Sequence, residues 1–435
     1  MKAIVVGAGL AGLTAGYRLK QGGWDVTVLE AGSYAGGRVA AQHVDGYTVD
    51  TGATQISSGY TEYIALCREM GLEGELVPSS QVVGFARKGR VIEIDSRNAL
   101  SGPLSPVVSL CSKVSVLKTL VDKACLNPPL NHLDISASHR DDDESFRDYG
   151  ARRLTREAYD FLAAPVLRGN FVRNPDLATK LEWFSITDNF AGRTMLGLKG
   201  GVTRLPIELA SRLDVRLNAP VKRVEQRGER VAVSWQQDGQ EFNETADACV
   251  VATRLPEAIA ISPAYAAIAG PLNQKLRYSR GLVAHLGFRK ATRSQVIGVF
   301  TPVAESTHIA LVWVDHNKEP GCAPPGHSLI SCYFDDANAD NCYDMADERV
   351  TSIARNYLEK LFPELQGQCD LELVTRWPIG IPFPEPGVYR EVHKLKQQLS
   401  VNDRIQYAGD YFTCTGQNSA IYYGRLVAEN ILATQ

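Results

Sequence analysis

The sequence predicts an α/β fold with a Rossmann-like unit at its N-terminus. The apolar run of residues 3–6 is typical of a buried parallel strand, three glycines follow in G-x-G-x-x-G spacing, and a second apolar run ends at an acid. Gly7 allows a tight turn, Gly9 lets the backbone approach a pyrophosphate, and Gly12 lets the next helix pack on the strand. Strand, turn and acid in this order predict a dinucleotide site.

The predicted helix over residues 10–21 directs its free amide groups and its positive dipole end towards the phosphates. Residues 26–29 form the second predicted strand. Glu30 at its end suits ribose hydroxyls and disfavours a 2′-phosphate, so NADP is not expected in this site. The predicted cofactor-binding residues of this unit are Gly7, Ala8, Gly9, Leu10, Ala11, Gly12, Glu30 and Ala31.

Length and composition exclude several classes of protein. The chain has 435 residues, 44% of them hydrophobic, which is enough for two or three domains with real cores. Its net charge of -3 gives no reason to expect nucleic acid as a partner. Its nine cysteines contain no C-x-x-C pair and its eight histidines no ligand spacing, so we expect no metal site and a cytoplasmic location. No stretch is apolar enough for a transmembrane helix.

Three further stretches identify the nucleotide. "AGSYAGGRV" and "YTVDTGATQI" follow the first unit, and "RIQYAGDYFTCTGQNSAIYYGRLVAENIL" closes the chain. They resemble the motifs of the flavin amine oxidases with the protoporphyrinogen oxidases and related desaturases, and the resemblance covers most of the chain. It implies FAD in a Rossmann-like domain of the glutathione-reductase type, joined to a discontinuous α+β substrate-binding domain.

The resemblance also implies which further residues bind FAD. In the family the second glycine motif wraps the pyrophosphate and ribityl chain, the "D-x-G-A" segment lies beside the flavin ring, and the last helix begins at the flavin N1/C2=O edge. A helix N-terminus there stabilises the negative charge of the reduced flavin. Carried onto this sequence, these positions and three isolated ones are Gly36, Gly37, Arg38, Gly52, Ala53, Thr54, Gln55, Val221, Thr253, Trp377, Gly409, Asp410, Asn418, Ser419 and Ala420.

The domains implied by this resemblance are discontinuous. The FAD-binding domain comprises residues 1–58, 196–262 and 375–435, and the substrate-binding domain residues 59–195 and 263–374. The first substrate segment is mostly helical, with a β-hairpin predicted around Lys88-Gly89. Residues 104–126 are apolar with three lysines, which fits either an ordinary packed helix or a helix in peripheral contact with a membrane. Residues 280–335 are rich in strands, and residues 346–362 form an amphipathic helix.

Two departures from the family pattern bear on the chemistry. Family amine oxidases carry a lysine, bridged to flavin N5 by water, on the strand that matches "GLVAHLGFRK"; the alignment puts Ala284 there, with His285 next to it and Lys290 too far along. This favours the protoporphyrinogen oxidase and desaturase side. No cysteine lies between Pro378 and Gly409, where some relatives attach flavin, and Cys414 is beyond that interval. We therefore expect non-covalent FAD.

Candidate substrate contacts are few, and we assign no catalytic residue. Gln55 lies near the flavin in the family pattern, His285 either faces substrate or packs into the domain interior, and Tyr411 either joins an aromatic wall or the core. Arg168 suits a structural ion pair better than a substrate carboxylate.

The leading hypothesis is an FAD-dependent oxidase or dehydrogenase. It removes a hydride equivalent from a C–C or C–N bond of a medium-sized apolar or heterocyclic small molecule, and oxygen reoxidises the flavin to give hydrogen peroxide. The first alternative is an amine oxidase that lacks the lysine, and the second is an FAD-binding protein without turnover. The sequence leaves the oligomeric state open.

Overall fold

A five-stranded parallel sheet brings together strands from both ends of the chain. The computed structural model describes residues 1–190, 192–335, 342–413 and 416–434. In spatial order the strands are Asp214–Arg216, Asp25–Leu29, Lys2–Val6, Ala248–Val251 and Ile405–Tyr407. The strands Lys2–Val6 and Ala248–Val251 are almost wholly buried, because both helices and a three-stranded antiparallel sheet pack against this parallel sheet. The predicted Rossmann-like fold is confirmed.

The glycine turn and the helices that flank this sheet lie where the sequence predicts them. The first helix spans Leu10–Gln21 and the last Gln417–Ala433. They cross so closely that a side chain at Gly424 would overlap the carbonyl of Ala11, and Gly22 lies against Leu432 further along. The two helices therefore run in the same direction, and both N-termini lie at the same end of the sheet.

A seven-stranded mixed sheet forms the second large element. In spatial order its strands are Cys369–Trp377, Gly281–Phe288, Ser328–Phe334, Ile309–Val314, Val296–Phe300, Val82–Arg87 and Arg90–Asp95. Its last two strands form the predicted hairpin, where Lys88 and Gly89 have φ of 53° and 70°. Positive φ at both central residues gives a turn whose twist matches that of the paired strands.

The two faces of this sheet meet different parts of the molecule. On the strand Gly281–Phe288, Leu282, Ala284 and Leu286 belong to the same buried cluster as the helix Asp347–Leu361. Residues alternate between faces along a strand, so His285 is on the opposite face. That face lies against residues 47–54: Gly287 is in contact with the ring of Tyr47. Ala284, which the alignment puts at the family lysine position, is thus on the helix side of the sheet, and His285 is on the side of residues 47–54.

The remaining elements surround the two sheets. The strands outside the two large sheets are Ala41–Val44, Tyr47–Asp50, Ile56–Ser57, Leu76–Pro78, Met195–Leu198, Val221–Arg227, Arg230–Gln237, Gln240–Ala246, Arg277–Tyr278 and Pro382–Phe383. The other α-helices are Thr61–Glu69, Ser101–Leu104, Leu110–Ala124, Phe146–Arg153, Arg156–Ala158, Ala164–Phe171, Lys180–Phe190, Arg204–Ala210, Leu255–Ile261, Pro263–Lys275, Asp315–Lys318 and Val388–Gln398. Residues of the five-stranded sheet fall within the three ranges proposed for the FAD-binding domain, whose boundaries stay a prediction.

The helix Leu110–Ala124 turns most of its large apolar side chains outwards. Its buried residues are Ser112, Ser115 and Thr119, whereas Leu117 and Val121 are 60% and 62% exposed. An ordinary packed helix would bury its apolar side, so this helix differs from that expectation. Among the residues that the structure describes, no helix is long and apolar enough to cross a membrane. Peripheral contact with a membrane stays a prediction.

The close crossing of the first and last helices gives a direct test of the fold. Gly424→Ala places a methyl group against the Ala11 backbone, which cannot yield as a side chain does. We expect a loss of about 1–3 kcal/mol in the free energy of unfolding, measured with urea. Gly74→Ala is the control, because nothing lies within 4 Å of its added carbon, and it should change stability by less than about 0.5 kcal/mol. Equal midpoints for both variants would contradict the crossing.

Candidate active site

The first two glycine motifs form one continuous backbone surface. The amide of Gly36 donates to the carbonyl of Ala8 at 2.8 Å, and Gly9 and Gly36 form a parallel bridge. A side chain at Gly37 would lie 3.2 Å from the Cα of Gly9, and Gly37 has a φ of +60°. Only glycine fits such an approach without strain. The motif at Gly36 and Gly37 is therefore held beside the dinucleotide turn.

Gly9 stands out because nothing in the described part of the protein requires a glycine there. Its backbone is extended, with φ of -74° and ψ of 174°, a conformation open to every residue, and no atom lies within 4 Å of an added Cβ. Gly12, in contrast, is required because a side chain there would overlap the carbonyl of Gly7. The space above Gly9, at the N-terminus of the helix Leu10–Gln21, is the kind of cradle a pyrophosphate occupies. The residues present fit the phosphates of FAD.

Glu30 closes one side of this cradle. Its carboxylate accepts hydrogen bonds from the amides of Ala8 and Gly32, both at 2.7 Å. A carboxylate has about four acceptor positions, so acceptor capacity is left for the ribose hydroxyls that the sequence assigns to it. Ala31, next to it, is exposed.

Arg38 joins three segments that are far apart in the sequence. Its guanidinium donates to the carbonyl of Gly380 at 2.6 Å and to the carboxylate of Asp410 at 2.9 Å. Its own carbonyl accepts from the amide of Ala53 at 2.9 Å and lies so close to Gly52 that a side chain there would overlap it. Burial opposes the charge of Arg38, but the attraction of Asp410 prevails and raises its pKa. Predicted cofactor residues from the first and the last FAD segments meet here.

The start of the last helix is the next element of the site. Gln417 donates to the carbonyl of Gln55 at 3.0 Å, and Asn418 accepts from the amides of Glu62 and Tyr63. The Nδ2 of Asn418 is buried and has no partner among the described residues. Such a group is satisfied by a ligand or by water. Ser419 donates to the carbonyl of Gly416, and Ala420 is half-buried; Cys414 lies outside the described residues.

The isolated positions of the prediction are dispersed around this surface. Thr253 lies beside the turn at Gly7, with its methyl group 3.5 Å from where a Gly7 side chain would begin. Trp377 donates from its indole to the carbonyl of Thr51 at 2.7 Å. Val221 begins an antiparallel strand and is half-buried.

The three candidate substrate contacts have different surroundings. The amide of Gln55 is 4.0 Å from the sulfur of Met195. Tyr411 is fully buried, and its hydroxyl lies 3.0 Å from that of Tyr265 in the core. Of the two predicted positions of Tyr411, in an aromatic wall or in the core, the core fits these surroundings better. His285 is fully buried, on the face described above.

Arg168 is structural, as the sequence favours. It is buried, pairs with Asp335 and donates to the backbone carbonyls of Thr301, Thr307 and Ile309. It therefore holds the ends of three sheet strands together.

A buried polar network, absent from the sequence interpretation, lies beneath the cofactor segment. Nδ1 of His285 is 2.7 Å from the hydroxyl of Ser331, which donates to Asp315 at 2.6 Å. The ammonium of Lys318 is 3.3 Å from Asp315 and donates to Asp50 at 2.7 Å. We call these five residues the buried network. All are less than 9% exposed.

The pKa values in the buried network are set by burial and by the neighbouring charges. Burial alone lowers the pKa of Lys318, but Asp50 and Asp315 outweigh it, so that pKa is raised and the ammonium stays charged. Burial raises the pKa of Asp315, against the effect of Lys318. Burial and then Lys318 lower the pKa of His285 to about 3, so this imidazole is neutral.

Sequence reasoning missed Lys318 and Tyr333 for a physical reason. Lys318 sits in a four-residue helix with no periodic signal, and buried lysines are rare. Tyr333 follows an ordinary strand pattern, but its side chain hydrogen-bonds Thr54, which is far away in the sequence. The pairing of Asp50 with a distant cation has no signature in a single sequence.

Fold and site together define a flavin-dependent oxidoreductase with a Rossmann-like FAD-binding domain. Residues 10–432 match the model of the family described as flavin containing amine oxidoreductase. The chain belongs to this family and is an enzyme that uses FAD.

Relatives include oxidases of porphyrinogens and of amines. The chain is 22% identical to a coproporphyrinogen III oxidase of Bacillus subtilis over 447 residues, covering 94% of this chain and 92% of the relative. It is 25% identical to an L-amino-acid oxidase of Bothrops pauloensis, covering 94% and 84%. The solved structure of cyclohexylamine oxidase from Brevibacterium oxydans has the same fold, with a TM-score of 0.79, 18% identity and coverage of 99% and 98%.

The open space at Gly9 predicts a clean loss of cofactor. Gly9→Val suits the extended backbone at that position but fills the cradle. We expect a folded, colourless protein with less than about a tenth of the wild-type flavin content, measured by absorbance, because one blocked phosphate position costs more than about 1.4 kcal/mol. Gly74→Val is the matched control and should stay yellow. A yellow Gly9→Val protein would refute the cradle.

The buried network predicts a large effect on stability. Lys318→Met leaves two carboxylates buried without their cation. We expect a loss of about 3–5 kcal/mol in the free energy of unfolding, followed by urea denaturation. Lys118→Met, at an exposed position, should change it by less than about 0.5 kcal/mol. If both variants unfold at the same urea concentration, the ion pairs are not structurally important.

Proposed function

We propose that the chain is an FAD-dependent oxidase that desaturates a C–C or C–N bond in a medium-sized apolar or heterocyclic small molecule. The observation that supports this proposal is the face of the sheet beneath the cofactor segment. It presents a neutral imidazole, His285, and its strand Gly281–Phe288 contains no lysine. The ammonium of Lys318 is engaged by two carboxylates. The similarity to a coproporphyrinogen III oxidase along almost the whole chain agrees with this reading.

When bound, FAD supplies a two-electron acceptor for a hydride equivalent. The chain's own residues would bind and orient it: the turn at Gly9 would hold the phosphates, Glu30 the ribose, and the first turn of the last helix would stabilise the reduced flavin. Trp377 and Tyr333 fix the segment of residues 51–54 against the sheet. We propose that this segment and the buried sheet face keep water from the reacting carbon.

We further propose that FAD is held non-covalently, that oxygen reoxidises it and that the protein works in the cytoplasm. No cysteine occurs in residues 378–413, the part of the chain next to Gly380 and Asp410. The domain boundaries given above are part of this proposal.

The main alternative is an amine oxidase that works without the family lysine, and the similarity to an L-amino-acid oxidase keeps it open. An FAD-binding protein without turnover ranks lower. The three readings differ in which compounds reduce the flavin.

The test is anaerobic reduction of the yellow protein. Its flavin should first appear in the supernatant after acid precipitation, as expected for a non-covalent cofactor. Coproporphyrinogen III, protoporphyrinogen IX, N-methylbenzylamine and reduced heterocycles are then mixed with the holoenzyme while the oxidised-flavin absorbance is followed. We expect porphyrinogens or heterocycles to bleach the flavin faster than amines do. Faster bleaching by amines would favour the amine oxidase. If no compound bleaches the flavin, the FAD-binding protein without turnover is favoured.

A further inference from the structure

We propose that His285 is a catalytic residue that accepts the N–H proton of the substrate through Nε2, and that Ser331 and Asp315 are positioning residues that carry this proton away. The inference rests on the proposed function, because it assumes that a hydride equivalent leaves a carbon that is bonded to an N–H nitrogen, as in an amine, or joined to one through a pyrrole ring carbon, as in a porphyrinogen. It specifies the substrate class as one that loses a hydride equivalent and a proton together.

The first support is the position of His285. Residues 47–54 cross the sheet face and contact it through Tyr47 at Gly287, Asp50 at Lys318, and Thr54 at Tyr333. His285 lies on the same face, two residues from Gly287, and Val283 is paired with Tyr333. The imidazole is therefore surrounded by the contacts of the segment that the family motif assigns to the flavin ring.

The second support is the hydrogen bonding of the imidazole. Ser331 has one hydroxyl proton, and it goes to Asp315. The short contact between Ser331 and His285 therefore requires Nδ1 to be the donor. A neutral imidazole protonated on Nδ1 has a bare lone pair on Nε2. Nε2 of His285 is buried and has no partner among the described residues, so its lone pair is left unused by that part of the protein.

The third support is the charge of the buried network. Lys318 contributes one positive charge, and Asp50 and Asp315 contribute two negative charges when both are ionised. One added proton would neutralise the network. Around Asp315, the thiols of Cys322 and Cys332 and the phenol of Tyr333 keep their protons, because burial raises their pKa values. Burial also raises the pKa of the Glu319 carboxyl. A buried cluster with one excess negative charge is a proton acceptor.

These observations combine into one balanced step. The hydride equivalent, with both bonding electrons, leaves the substrate carbon for the flavin, which is thereby reduced. The N–H proton moves to Nε2 of His285 while the C=N bond forms. Because burial and Lys318 disfavour an imidazolium ion, the Nδ1 proton moves to Ser331 and the Ser331 proton to Asp315 in the same event. His285 ends as the other neutral tautomer, with its proton on Nε2.

The first experiment needs no substrate. In holoenzyme labelled with 15N-histidine, NMR should show His285 as a neutral imidazole protonated on Nδ1 from pH 8 down to about pH 5, since its pKa is lowered to about 3. Ser331→Ala identifies the signal, because it removes the hydrogen-bond partner of Nδ1. A tautomer protonated on Nε2, or an imidazolium at pH 6, would overturn the proposal.

The second experiment compares substrates with and without an N–H group. The probes are N-methylbenzylamine and N,N-dimethylbenzylamine if amines bleach the flavin, and coproporphyrinogen III and its derivative methylated on all of its pyrrole nitrogens if porphyrinogens do. His285→Gln should slow anaerobic flavin reduction by the N–H compound about 10²–10⁴-fold, the usual contribution of a positioned proton acceptor. Reduction of the flavin by the compound without an N–H group, and by dithionite, should keep its wild-type rate.

Two further variants separate this role from a structural one. Asp315→Asn still accepts a hydrogen bond from Ser331 but cannot take up a proton. It should therefore slow flavin reduction by the N–H compound alone and remove the pH dependence of that reaction. His308→Gln, a histidine outside the buried network, should behave as wild type. Equal slowing of both compounds by His285→Gln, or none, would overturn the inference. A wild-type protein that no compound reduces would instead refute the proposed function.

Discussion

The pairing of Lys318 with Asp50 and Asp315 is the constraint on which the site depends. It is the charged contact that ties the seven-stranded sheet to the segment that leads into Gly52 and Ala53. Removing two carboxylates and an ammonium from water is costly, and the cost is offset only when the three groups meet in one geometry. The interaction therefore specifies how the two halves of the molecule sit together more than it adds to their stability.

Arg38 fixes the relative positions of the segments on the cofactor side. By contacting Gly380 and Asp410 while its carbonyl meets Ala53, it sets the second glycine motif, the segment after Trp377 and the C-terminal motif in one position. The cofactor surface is thus assembled from backbone groups that converge from distant parts of the chain. Few of its side chains are chemically reactive, which explains why glycine motifs are its clearest sequence signal.

The sequence predicts the parts of this molecule whose causes are local. The turn at Gly9, the helix Leu10–Gln21 and the hairpin at Lys88-Gly89 follow from periodicity and backbone conformation, and all three are confirmed. The alignment puts Ala284 at the family lysine position, whereas His285 is on the face that meets residues 47–54, because strand alternation flips the face with every residue. Lys318 escaped notice because burial of a charge is decided by partners hundreds of residues away, such as Asp50.

The crossing of Gly424 over Ala11 has a consequence for how the protein acquires its cofactor during synthesis. The Rossmann-like sheet contains the strand Ile405–Tyr407, and its first helix packs against the helix Gln417–Ala433 as well as against Arg204–Ala210. Until residues 405–433 have been synthesised, the N-terminal glycine turn therefore lacks a strand and a helix of its own layer. This layer is built from long-range contacts, which form slowly. A cofactor that binds the completed layer, as we propose for FAD, would stabilise the contact between these distant segments.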